Sequence, residues 1–144
     1  MRKTVLVAED DAFFAEDLGH MLEAEGFDIL HAHTGDEVLS KLTRRVKPPD
    51  LVLLDIRMPP GDRLGTKDTD SGRITGLVVA RTVRRKCPAL PLLGFSVCRD
   101  PDVVGWFRRY GAGYIVKPAT VDEILDAINS ILFPRRKRRS PKDS

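Results

Sequence analysis

Four short apolar runs punctuate the chain: Val5 to Ala8, Leu51 to Leu54, Leu90 to Phe95 and Tyr114 to Val116. They are continuous rather than alternating, as strands buried on both faces of a parallel sheet must be. A fifth stretch, Phe27 to His33, alternates in part and suits a sheet edge. Between the runs, apolar residues recur at helical steps. Phe14, Leu18, Met21 and Leu22 form one stripe, Val38 and Leu42 a second, Leu77 to Val83 a third, and Val103, Val104 and Phe107 a fourth. Val121, Ile124, Leu125, Ile128, Ile131 and Leu132 form the fifth and clearest. Thr34-x-x-Glu37 and Thr120-x-x-Glu123 are capping boxes, and Asp100-Pro101 sets a cap before a proline at the first helical position. The order βαβαβαβαβα predicts an α/β fold, an open, doubly wound parallel sheet of five strands flanked by five helices. A closed eight-stranded barrel needs about 250 residues and is excluded.

Two segments break this rhythm. Residues 59–75, rich in glycine and charge, are expected to form a long flexible loop. Residues 134–144 are expected to be a disordered basic tail or linker, leaving one domain over 1–133. The tail also carries the basic balance. The formal net charge of +3 becomes −2 without it, so no basic patch is expected on the fold itself. Cys87 and Cys98 are too few for a disulfide framework or a zinc motif and are expected to be reduced packing residues. His31 and His33 share one face of the edge strand and, with no third ligand nearby, are expected to be exposed. No apolar run approaches the roughly 20 residues of a membrane span, and the start turns acidic too soon for a signal peptide. A cytoplasmic location is expected.

What ends each buried run carries the chemistry. The first run ends in Glu9, Asp10 and Asp11, the third strand in Asp55, the fourth in Ser96, and the fifth in Lys117-Pro118. In open parallel sheets the ligand crevice lies beyond the carboxyl ends of the strands. Clustered carboxylates resist joint ionisation without a cation among them. With oxygen ligands only, Mg²⁺ is the expected cofactor. An ionised Asp55 beside a metal and Lys117 is a nucleophile able to attack phosphorus and form an aspartyl phosphate.

In order and spacing, this set resembles the receiver (response-regulator) domain of two-component signalling. The matching pieces are residues 5–11, Leu53-Leu54-Asp55-Ile56-Arg57-Met58-Pro59, Gly94-Phe95-Ser96 and Tyr114-Ile115-Val116-Lys117-Pro118. The resemblance implies a flavodoxin/CheY-like sheet of order 2-1-3-4-5. It implies Mg²⁺ bound by Asp10, Asp11, Asp55 and the Arg57 backbone carbonyl. Asp55 would be the phosphoacceptor, Ser96 the switch hydroxyl, Tyr114 the switch aromatic and Lys117 the phosphate-contacting lysine. The Lys117–Pro118 bond would be cis. A sensor histidine kinase or phosphotransfer protein would supply the phosphoryl group. Phosphorylation would draw Ser96 inward and turn Tyr114 in, changing the affinity of the fourth helix, fifth strand and fifth helix for a downstream protein.

The expected role is a signalling phosphoacceptor, stand-alone or part of a longer chain, that catalyses only its own phosphorylation and dephosphorylation. Nucleic acid is not an expected partner of this domain. The alternatives are an unphosphorylated receiver-like scaffold and an aspartyl-phosphate phosphatase. The phosphatase needs a second Asp where Arg57 stands. Three features depart from the family pattern: Val97 after the switch hydroxyl, Arg57 two places after Asp55, and about a dozen residues inserted within 59–75.

Overall fold

A computed structural model describes residues 2–44 and 47–134; the expected tail from 135 onward lies outside the described residues. Strands and helices alternate as β1 (Thr4–Ala8), α1 (Ala12–Ala24), β2 (Asp28–Ala32), α2 (Gly35–Arg44), β3 (Leu51–Leu54), α3 (Thr75–Lys86), β4 (Leu92–Ser96), α4 (Pro101–Tyr110), β5 (Gly113–Val116) and α5 (Val121–Leu132). The five strands pair in parallel in the order β2-β1-β3-β4-β5. Both the element order and the doubly wound topology are as the hydrophobic pattern and the resemblance lead one to expect.

The continuous apolar runs are explained by alternation within buried strands. Leu6, Ala8, Val52, Leu54 and Leu92 pack on one face with Val38, Leu77, Ala80, Val83, Val103 and Phe107, from α2, α3 and α4. Val5, Val7, Leu51, Leu53, Leu93 and Phe95 pack on the other with Leu18, Leu22, Ile124, Leu125 and Ile128, from α1 and α5. Successive side chains point to opposite faces, and both faces are covered, so every position must be apolar. The run beginning at Leu90 enters the sheet only at Leu92, because Pro91 cannot donate to the ladder.

The helix starts follow their caps. Thr120 and Glu123 form the reciprocal capping box, and the Asp100 carboxylate accepts from the Asp102 amide. At α2 the Thr34 hydroxyl accepts from Glu37 N–H, but Glu37 reaches back to His33 N–H rather than to Thr34.

The inserted segment differs from expectation. Residues 62–74 fold into consecutive turns docked on the start of α2 rather than a loose loop. Asp36 anchors them, its carboxylate accepting from the amides of Arg63 (2.7 Å) and Leu64 (3.0 Å). Leu64 and Ile74 pack against the core, and Thr69 is buried with its hydroxyl donated to Gly65 O. Asp70 and Ser71 take left-handed backbone conformations, which the Asp side chain tolerates better than most. The charges that suggested solvation lie outside, while the few apolar residues anchor the segment.

Gly76, in the first turn of α3, has a steric requirement. A Cβ there would lie 2.2 Å from Asp55 O, so α3 can approach the end of β3 only with no side chain. Gly76→Ala is expected to destabilise the fold by about 1–3 kcal/mol through overpacking, read as a lower urea midpoint with an unchanged slope. Asp36→Ala is expected to remove about 1–3 kcal/mol, the loss of a charged acceptor for two amides. Limited proteolysis should then cut faster within 62–74 than in the unaltered chain.

Candidate functional site

The ladder continues one residue past three strands. Glu9 N–H donates to Ala32 O (2.9 Å), Asp55 N–H to Ala8 O (3.0 Å) and Lys117 N–H to Ser96 O (2.9 Å). Each of these three residues is therefore held in register by its neighbour strand, at the carboxyl edge of the sheet. The Lys117–Pro118 peptide is cis, as the resemblance implies.

Asp55 is only 7% exposed. Its Oδ1 accepts from Ile56 N–H (2.7 Å) and Arg57 N–H (3.3 Å), so the turn after β3 closes around the carboxylate. Its Oδ2 lies 3.5 Å from Lys117 Nζ, which also donates to Glu9 Oε1. Two aromatic rings flank that ammonium, Phe14 at 4.8 Å and Phe95 at 4.9 Å from their centroids. The rings guide it by cation–π attraction while leaving its protons for the carboxylates.

Glu9, Asp10 and Asp55 each offer a carboxylate oxygen, and these lie within 4.8 Å of one another. Among the described residues this is the one cluster with metal-ligand spacing. Asp11 stands elsewhere: it is exposed, and its carboxylate caps α1 by accepting from Phe14 N–H (3.1 Å). The structure thus brings together Asp10, Asp55 and Lys117 of the expected set, adds Glu9, and uses Asp11 to start a helix. Glu9 and Asp11 have the same parity, but only Glu9 is still held in the ladder, whereas Asp11 stands at the N-cap of α1. Glu9 continues the face of Val5 and Val7, toward α1 and α5, which is the face that meets Lys117.

Glu9 is 4% exposed, and burial pushes its carboxyl up to about 7. The Lys117 hydrogen bond opposes this and the Asp55 charge adds to it. Packing carboxylates of like charge around one lysine leaves the cluster short of positive charge, which is the donor chemistry that a hard divalent cation fits.

Ser96 is fully buried and its Oγ accepts from Cys98 N–H (3.2 Å). Tyr114 OH donates to Cys98 O (2.6 Å). The Tyr114 ring lies over β4 where Gly94 leaves room; a Cβ there would sit 2.4 Å from the ring. Phe107 packs beside it at 5.7 Å. Burial, with Cys98 next, raises the phenol, so it remains a hydrogen-bond donor. The inward placement expected to follow phosphorylation is already present here. Arg57 extends its side chain into solvent, and Val97, beside Ser96, is 53% exposed.

The histidines are not exposed as expected. His31 and His33 are half-buried with stacked rings at 6.3 Å. Gly19 leaves room for His31, and His33 Nδ1 lies 2.9 Å from Glu9 O. Cys98 is buried and Cys87 half-buried, both free thiols. Among the described residues no helix is long and apolar enough to cross a membrane.

A family profile described as "Response regulator receiver domain" matches residues 5–129. The chain belongs to the response regulator receiver family. It is 33% identical over 128 residues to the transcriptional regulatory protein PdtaR of Mycobacterium tuberculosis, covering 88% of this chain and 55% of that protein. Over 135 residues it is 31% identical to the positive alginate biosynthesis regulatory protein of Pseudomonas aeruginosa, covering 92% of this chain and 48% of that protein. This receiver therefore spans about half the length of the curated relatives it matches. A CheY-like receiver domain protein from Methanospirillum hungatei superposes with a TM-score of 0.78 at 21% identity, covering 96% of this chain and 100% of the other, which bears on the fold alone.

The raised Glu9 carboxyl makes a pH-dependent prediction for this receiver. Between the ordinary value of 4.5 and about 7, the folded protein holds a proton that the unfolded chain has released. The contribution of Glu9 to stability therefore falls as pH rises through that window. Urea titrations at several pH values should show this decline, and Glu9→Gln should flatten it.

Proposed function

We propose that this receiver is a phosphorylation-controlled binding module in which Asp55 accepts a phosphoryl group from a phosphohistidine of a sensor histidine kinase or phosphotransfer protein. The observation that carries this reading is a buried Asp55 carboxylate facing Lys117 Nζ at 3.5 Å, with Glu9 and Asp10 beside it. In the transfer, an Asp55 oxygen forms a bond to phosphorus, the phosphorus–nitrogen bond breaks, and the imidazole leaves with its electron pair.

Each residue's part follows from its place. The Ile56 and Arg57 amides orient Asp55 through Oδ1 and leave Oδ2 toward Lys117 for attack. Lys117 balances charge on the transferring group, as oriented cations do in phosphoryl transfer. Glu9, Asp10 and Asp55, with the Arg57 carbonyl, are the ligands proposed for Mg²⁺; Asp11 is left out because its carboxylate caps α1. When bound, that ion supplies positive charge to the carboxylate cluster and the phosphoryl oxygens.

Ser96 and Tyr114 are both tied to Cys98, the first through its amide and the second through its carbonyl. A Ser96 hydroxyl drawn toward a phosphoryl oxygen gives up or stretches its bond to the Cys98 amide. That displaces the carbonyl holding Tyr114. The switch is thus proposed to act through this one residue, changing the surface formed by α4, β5 and α5 that a downstream protein reads. Modification starts from an inward Tyr114, so it acts by shifting the loop that the ring already holds.

Incubation with Mg²⁺ and a small phosphodonor, followed by mass spectrometry, is expected to find one base-labile adduct at Asp55. Asp55→Asn should abolish it. Lys117→Ala should slow uptake by roughly 100-fold, the scale of losing one charge-stabilising group. No adduct at Asp55 would refute the reading in favour of an unphosphorylated scaffold, and rapid multiple turnover would favour a phosphatase.

A further inference from the structure

The mildly acidic balance of residues 1–133 conceals a strong separation of charge. Residues 1–72 carry nine Lys and Arg against fifteen Asp and Glu, whereas residues 73–110 carry eight against two. The second stretch contains α3, β4 and α4. Because all strands run parallel, the helices return against them, and α3 and α4 end at the sheet edge opposite Asp55. Their last turns hold Arg84, Arg85 and Lys86 on α3 and Arg108 and Arg109 on α4.

One of these five has a structural task. Arg84 Nε donates to Tyr110 O (2.9 Å), and its Nη1 donates to Cys87 O, Pro88 O and Leu90 O, which joins the two helix ends. Arg85, Lys86, Arg108 and Arg109 are exposed, as is Arg81 one turn earlier on α3. Among the described residues none of these makes an ion pair with an acid. A last-turn cation complements a helix dipole by about 0.3–1 kcal/mol. That accounts for one charge per helix, not for this density on two ends pinned together. The sequence expectation that the fold bears no basic patch therefore fails here, because a whole-chain sum cannot reveal where charge lies.

We propose that the joined carboxyl ends of α3 and α4 form a binding surface for single-stranded nucleic acid. Four unpaired cations, mostly arginine, suit phosphate oxygens. Tyr110 stands among them, 49% exposed, with the Arg109 guanidinium 5.3 Å from its ring centroid and Trp106 at 5.7 Å. An exposed ring beside arginines offers a face on which an unpaired base stacks. An anionic membrane is the poorer occupant. Of the large exposed hydrophobics among the described residues, Phe13 and Met21 lie on α1 and Val97 follows β4, leaving Tyr110 alone on this surface. The surface uses none of the residues around Asp55, so it stands or falls apart from the phosphoacceptor reading.

Fluorescence anisotropy of a labelled oligouridine, titrated with the full chain across a NaCl series, tests this. Binding that weakens steeply with salt is expected. Arg85→Glu with Lys86→Glu and Arg109→Glu should weaken it roughly tenfold or more and lower the salt slope by about 2, near 0.7 for each phosphate that is no longer neutralised. Phosphoryl uptake at Asp55 should be unchanged in that variant. Should the triple variant fail to fold by circular dichroism, the single Arg85→Gln, Lys86→Gln and Arg109→Gln variants give the same slope comparison one charge at a time. Tyr110→Ala should weaken binding further without altering the slope. The proposal is overturned if oligouridine does not bind at low salt, or if phosphatidylserine vesicles bind and oligouridine does not. It is equally overturned if neutralising Arg135, Arg136 and Lys137 abolishes binding while the surface variants leave it intact.

Discussion

Forcing carboxylates of like charge together at the edge of a parallel sheet is the constraint on which the site depends. Left free, Glu9, Asp10 and Asp55 would separate or take up protons. They cannot separate, because Glu9 and Asp55 are fixed by ladder bonds to Ala32 and Ala8. Lys117 is brought to them by the same device, one strand beyond β4. The sheet therefore acts as a rigid frame, and the shortage of positive charge that it imposes makes the cluster receptive to a cation.

The same frame ties the end of β4 to the Tyr114 ring. β4 ends in buried Ser96, and two residues later the Cys98 backbone meets both Ser96 and Tyr114. Gly94 is what lets the Tyr114 ring lie close enough to make that second contact. Gly76 plays the equivalent part on the other side, letting α3 back directly onto the Asp55 carbonyl. Two positions without side chains thus set how closely the Tyr114 ring packs on β4 and α3 on the end of β3.

Much of this was legible in the chain because burial on both faces of a parallel sheet demands uninterrupted apolar runs, and only their ends can be polar. Asp10, Asp55, Ser96 and Lys117 announce themselves at such ends. The choice between Glu9 and Asp11 was not legible from residue type. It rests on how far the β1 ladder extends and on the need of α1 for an N-cap: Glu9 is still paired with Ala32, and Asp11 caps the helix. Phe14 and Phe95, which flank the lysine, look in the sequence like ordinary core residues. The inserted segment was misjudged for a related reason. Its charges dominate its composition, while its fold depends on Asp36, far away in the chain, and on the burial of Leu64, Thr69 and Ile74.

Parallel winding also assigns chemistry to opposite ends of the molecule. Loops that follow strands gather at one edge, and helix ends with the loops that precede strands gather at the other. In this chain the first edge holds Glu9, Asp10, Asp55 and the insertion, while the second holds the carboxyl ends of α3 and α4 with their arginines. Charges at the two edges are separated by the length of the strands, five residues at most, or about 17 Å. That exceeds the Debye length of about 8 Å at physiological ionic strength, so the two edges are electrostatically independent through solvent. Any influence of phosphorylation on the basic edge must then travel through packing. The route on hand is the last turn of α4, where Phe107 touches the Tyr114 ring and the Tyr110 carbonyl, three residues on, is held by Arg84.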